Sequence, residues 1–159
     1  MKRTSTLTWP QRTGACHQIR YTGDVEKRQG FNIYLSSIDA IVAPYSKTVP
    51  YSVTKAGLHK FTRTTASNHW RDGIRSNCIA PGYVQGAFPS GSMTAQLCEL
   101  RKNTAPIGTE GKPWDVALLA MFLASDESAR SLVQLFPVDV GLLVLAPLKA
   151  YSFLTSSEL

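Results

Sequence analysis

Tyr51 and Lys55 stand four residues apart in "VPYSVTKAGLHKF", Val49 to Phe61, a spacing that puts both on one face of a helix. A free phenol holds its proton to about pH 10 and serves poorly as an acid or base at neutral pH. A fixed ammonium beside it favours the phenolate and allows proton exchange with a carbonyl or an alcohol. The same lysine completes Ser52-x-x-Lys55, in which a lysine base activates a serine for acyl transfer. That second chemistry works with Ser-Asp-Asn and Lys-Thr-Gly partner motifs. Here Ser125-Asp126 continues to Glu127 and Lys47-Thr48 to Val49, so the tyrosine reading is preferred.

The elements that must position this pair are legible on either side of it. Phe31 to Leu35 is a β-rich run between Gly30 and Ser36-Ser37, which predicts a strand ending in polar residues. Ser37 then lies at a strand's carboxyl end, where open α/β sheets gather their ligands, and its hydroxyl is a candidate donor to the same substrate oxygen as Tyr51. Residues 51–70 read as a helix started by Pro50, with Leu58, Phe61, Thr62 and Thr65 on one face. Ile74 to Ala80 reads as a second buried strand stopped by Pro81-Gly82. A short helix is expected at Met93 to Asn103. Another starts near Pro113, with Asp115 in its first turn and Val116, Leu119, Ala120 and Leu123 on one face; "LVQLFPVDV" closes the series as a third strand. Strands alternating with helices predict a parallel α/β sheet flanked by helices. Residues 1–30 carry Pro10, Gly14, Gly23 and Gly30 without a clean period and read as irregular. The expected organisation is an irregular segment (1–30), a core (31–141) and a tail (142–159).

The ordered set of strand, Ser-Ser, Tyr-x-x-x-Lys helix, strand and Pro-Gly turn resembles the classical short-chain dehydrogenases/reductases. "NIYLSSI" is similar to that family's strand ending in the catalytic serine, "YSVTKAGL" to its tyrosine-lysine helix, and "IRSNCIAPGYV" to the next strand and turn. "APIGTEGKPWDVALLAMFLASDES" and "LFPVDVG" look like its closing helix and strand. The resemblance runs from about Phe31 to Gly141. It implies a Rossmann-like, doubly wound fold, here incomplete. It also implies an NAD(P)-dependent oxidoreductase that moves a hydride between nicotinamide and a secondary alcohol or ketone. Tyr51 would be the acid/base, Ser37 the donor that orients the substrate oxygen, and Lys55 the residue that holds the nicotinamide ribose and favours the phenolate. Pro81, Gly82 and Val84 would lie along the nicotinamide, and the loop from Gln85 to Asn103, with Phe88, Met93 and Leu97, would cover the substrate. The family's dimer helix corresponds to Tyr51 to Trp70, which implies a homo-oligomer.

Departures from the family pattern bear on the cofactor. The Gly-rich turn that lets a backbone approach a pyrophosphate has its sole counterpart in "TGACHQIR", where Gln18 and Arg20 replace glycines after Thr13-Gly14. Gly86 stands where the family has a threonine, and Val140 replaces the first glycine of its Val-Asp-Gly-Gly ending. Arg12, Arg20 and Asp24 carry no assignment, and the choice between NAD and NADP is not written in these residues. The alternative reading is a truncated, catalytically inactive member that acts as an interaction partner.

Composition narrows the remaining classes. The 159 residues, 43% hydrophobic and 18% charged, suit one soluble globular domain. A net charge of +6 is spread over scattered lysines and arginines without a basic run, which argues against nucleic acid. Cys16, Cys78 and Cys98 form neither a metal knuckle nor a disulfide framework. Reduced thiols, and an N-terminal stretch without an apolar core, give a cytoplasmic expectation. "GLLVLAPLKAYSFL" is too short and too interrupted to span a bilayer.

Overall fold

The computed structural model describes residues 6–7, 19–20, 22–24, 29–42, 49–86 and 94–144. Strands β1 (Thr6–Leu7) and β2 (Ile19–Arg20) pair with each other, antiparallel. The main sheet has the order β3-β4-β5-β6, built from β3 (Thr22–Asp24), β4 (Gln29–Leu35), β5 (Ile74–Pro81) and β6 (Leu135–Val138). β4, β5 and β6 are parallel, as expected of a Rossmann-like sheet, whereas β3 pairs antiparallel with β4. The stretch read as irregular thus contributes short strands, and one of them pairs with Gln29 to Phe31 at the start of β4. Two or three residues leave no alternation to read, so these strands were not legible in the sequence. Pro137 is tolerated in β6 because that strand is an edge.

The helices are α1 (Val49–His69), α2 (Ala95–Thr104) and α3 (Pro113–Ala124). Their ends follow local chemistry. Pro50 lies in the first turn of α1, where its missing N–H costs no hydrogen bond. The Thr94 hydroxyl accepts from Leu97 N at 3.1 Å, so α2 begins after Thr94 rather than at Met93. Asp115 accepts from Lys112 N at 2.7 Å at the start of α3.

Successive side chains of β5 point to opposite faces, and their partners show what covers each. Cys78 lies by Thr62 of α1, whereas Arg75 donates to Ser128 Oγ at 2.9 Å and Asn77 to Ser131 O at 2.8 Å, beyond α3. Both faces are therefore covered, and Cys78, Ile79 and Ala80 are fully buried, as a parallel sheet requires. On α1 the buried positions are Thr62 and Ala66. Phe61, expected inside, is partly exposed but sets its ring edge-on to Tyr34, centroids 5.3 Å apart. No helix among the described residues is long and apolar enough to cross a membrane.

Candidate active site

The parallel register aligns Leu35 with Ile79, so Ser37 and Pro81 leave the sheet at the same carboxyl edge. α1 brings Lys55 to that edge. Lys55 Nζ donates to Leu35 O at 2.8 Å and sits 5.5 Å from the centre of the Tyr51 ring. Burial strips water from this ammonium and pulls its pKa below the ordinary value, with Cys78 nearby acting in the opposite direction. An ammonium has three donors, and Leu35 takes one.

Ser36 binds the same turn of helix from below. Its hydroxyl donates to Lys55 O at 2.8 Å and meets His59 Nε2 at 2.8 Å. The single hydroxyl proton goes to the carbonyl, so His59 Nε2 must carry the hydrogen of the second bond. Burial, then the charge of Arg63, holds His59 below its ordinary pKa. Cys78 closes the cluster beside Thr62, Ser36 and Lys55, its thiol pushed up by burial. Lys55 is thereby tied to the end of β4 at both its backbone and its side chain.

Ser37 is buried and caps the short 3-10 turn Ile38–Ala40, accepting from Asp39 N at 3.2 Å. A hydroxyl that accepts an N–H retains its own proton to give, which is what an orienting donor needs. Tyr51, in the first turn of α1, is partly exposed.

The turn after β5 is shaped by close packing. Gly82 N donates to Val138 O at 2.9 Å, and a Cβ on Gly82 would lie 2.7 Å from the Cα of Asp139. Only glycine lets the chain leave the sheet this close to its neighbour. Val84 is buried and forms a parallel bridge with Gly111. Gly86 has a φ of 71°, a conformation that a β-branched threonine avoids. The glycine at that position therefore gives the backbone its own route.

Ser37, Tyr51, Lys55, Pro81, Gly82 and Val84 all belong to this carboxyl edge or the turn leaving it. Thr13-Gly14, Arg12, Gln18, Phe88 and Met93 lie outside the described residues. Sequence reasoning missed Ser36 and His59, although His59 is one helical turn beyond Lys55 and its place on the same face was available as a signal. Among the described residues no group of histidine, cysteine and acidic side chains could hold a metal ion.

A family model described as enoyl-(acyl carrier protein) reductase matches residues 10–143. The chain belongs to the short-chain dehydrogenase/reductase family. It is 35% identical over 124 residues to the 3-oxoacyl-[acyl-carrier-protein] reductase FabG of Thermotoga maritima, with 76% of this chain and 48% of that protein covered. Against a tropinone reductase homolog of Arabidopsis thaliana it is 30% identical over 116 residues, covering 72% and 44%. Among solved structures, an oxidoreductase of the short-chain dehydrogenase/reductase family from Burkholderia thailandensis superimposes with a TM-score of 0.72 at 32% identity, covering 82% and 51%. A gluconate 5-dehydrogenase from Burkholderia cenocepacia, in complex with NADP and tartrate, gives 0.70 at 26% identity, covering 76% and 48%. This short-chain dehydrogenase/reductase chain spans about half the length of the curated relatives it matches.

Proposed function

We propose that this site catalyses hydride exchange between a nicotinamide cofactor and a secondary alcohol or ketone. The observation that carries the reading is the Lys55 ammonium fixed over the Tyr51 ring at the carboxyl edge of β4. In the reducing direction Ser37 donates a hydrogen bond to the carbonyl oxygen and Tyr51 delivers the proton to it. In the oxidising direction Tyr51 takes that proton back. Lys55, held by Leu35 and by Ser36, keeps a positive charge 5.5 Å from the centre of the ring whose hydroxyl exchanges the proton.

NADP or NAD would supply or accept the hydride. The donor set fits its nicotinamide end: Tyr51 and the remaining donors of Lys55 suit ribose hydroxyls, and Pro81, Gly82 and Val84 form the turn against which the ring would rest. The printed complex of the gluconate 5-dehydrogenase relative with NADP supports the class of cofactor. The FabG and tropinone reductase relatives support a carbonyl substrate. We further propose a homo-oligomer formed through α1, whose Val49 and Val53 are exposed along with Trp70 just beyond it.

Turnover of a 3-oxoacyl thioester with NADPH, followed at the nicotinamide absorbance, tests the reading. Tyr51→Phe, which keeps the ring and removes the proton, is expected to lower kcat by about 10²- to 10⁴-fold with an unchanged unfolding midpoint. A Phe variant as active as the parent would refute the role of Tyr51.

A further inference from the structure

Arg101, near the end of α2, is 5% exposed, and Glu110, in the loop before α3, is 8% exposed. Arg101 Nε lies 2.8 Å from Glu110 Oε1, an ion-pair contact off the line of a straight hydrogen bond. Burying two charges carries a desolvation penalty, and an apolar pair of similar volume is often as stable or more so. Stability alone therefore does not account for charges at these positions; what they hold does.

The guanidinium lies over the Tyr83 ring, 4.6 Å from its centre, and places Nη2 3.5 Å from Val84 O. On the far side of the ion pair, Glu110 runs directly into Gly111. Gly111 N donates to Tyr83 O at 2.8 Å, and Gly111 O accepts from Gln85 N at 2.9 Å. The segment Tyr83 to Gln85 is thus gripped by the Gly111 backbone along one side and by Arg101 on the other. The Arg101–Glu110 contact ties the two grips together.

We propose that Arg101 is a positioning residue: through Glu110 it fixes the Tyr83–Val84 turn against α2, and so sets the wall on which the nicotinamide would rest. The nicotinamide half of this statement rests on the function proposed above; the clamp on the turn does not. An arginine suits the task because its planar group can stack on a ring and face a carboxylate at once, whereas a lysine offers a point charge.

Amide hydrogen exchange of Gln85 and Gly111 in the full chain tests the clamp without a cofactor. In Arg101→Met with Glu110→Leu, the urea midpoint is expected to stay at or above the parent value while both amides exchange about tenfold faster. Unchanged exchange in this folded double variant would reduce the pair to space filling and overturn the proposal. Should the double variant fail to fold, Arg101→Lys keeps the charge but loses the stacked plane. The same tenfold acceleration is expected there, and parental exchange would overturn the proposal equally. NADPH titration of the parent and the folded variants separates the two layers. About tenfold weaker binding in the variants supports the wall, and parental affinity contradicts it. Absence of binding to the parent itself rejects the nicotinamide reading, while the exchange data still decide the clamp.

Discussion

His59 shares the Ser36 hydroxyl with the backbone carbonyl of Lys55, and its environment has a pH consequence. Burial and Arg63 hold it below its ordinary value of 6.5. As pH falls, the unfolded chain takes up this proton before the folded one, so stability is lost as pH drops through about 6.5 towards the folded value and is fully present above it. His59→Gln retains an N–H donor for Ser36 without titrating. Its melting temperature is expected to fall less than the parent's between pH 7.5 and 5.5, a comparison that thermal melts at the two pH values supply. Equal losses in both proteins would remove His59 from the account. At this scale Tyr51, Lys55 and Ser37 were legible because their chemistry is local to a helix face or a strand end. Ser36 and His59 were not singled out, because their bond joins residues from different elements and neither type announces a site alone.

Elements were easier to read than their joints. β4, α1, β5 and α3 follow from periodicity and from Pro50, Pro81 and Pro113, since apolar spacing and missing N–H groups act within a few residues. The antiparallel β3 is only three residues long, and the Arg101–Glu110 contact joins the end of α2 to the loop before α3; neither leaves an apolar period to read. The loop after β6 shows the same division. Val140 was visible as a residue out of place, and the structure supplies the reason: its φ is 51°, a left-handed conformation in which a β-branched side chain is strained. Gly141 beside it has a φ of 88° and packs on Pro106, which fixes the loop. Val140→Gly is expected to raise the unfolding free energy in urea by about 1 kcal/mol. A loss of that size would mean that burial of the valine side chain outweighs the strain.

For the molecule as a whole, the exposed apolar surface sets the behaviour to expect in solution. Val53 on α1 is 65% exposed, and the contact proposed through α1 would cover it. If α1 is the contact between copies, Val53→Glu places a charge in that contact and shifts sedimentation towards the monomer without changing the helical signal. A parent that already sediments as a monomer would contradict the α1 contact. The expected parallel α/β sheet stands, with β3 added antiparallel at the start of β4. The carboxyl edge that carries Lys55 and the Pro81 to Val84 turn is the part on which the functional claim depends. Fluorescence titration of NADPH into the folded, monodisperse chain tests that claim most directly. Saturable binding, weakened when Lys55 is replaced by methionine, is the predicted result. No binding by a sample that melts cooperatively would contradict it.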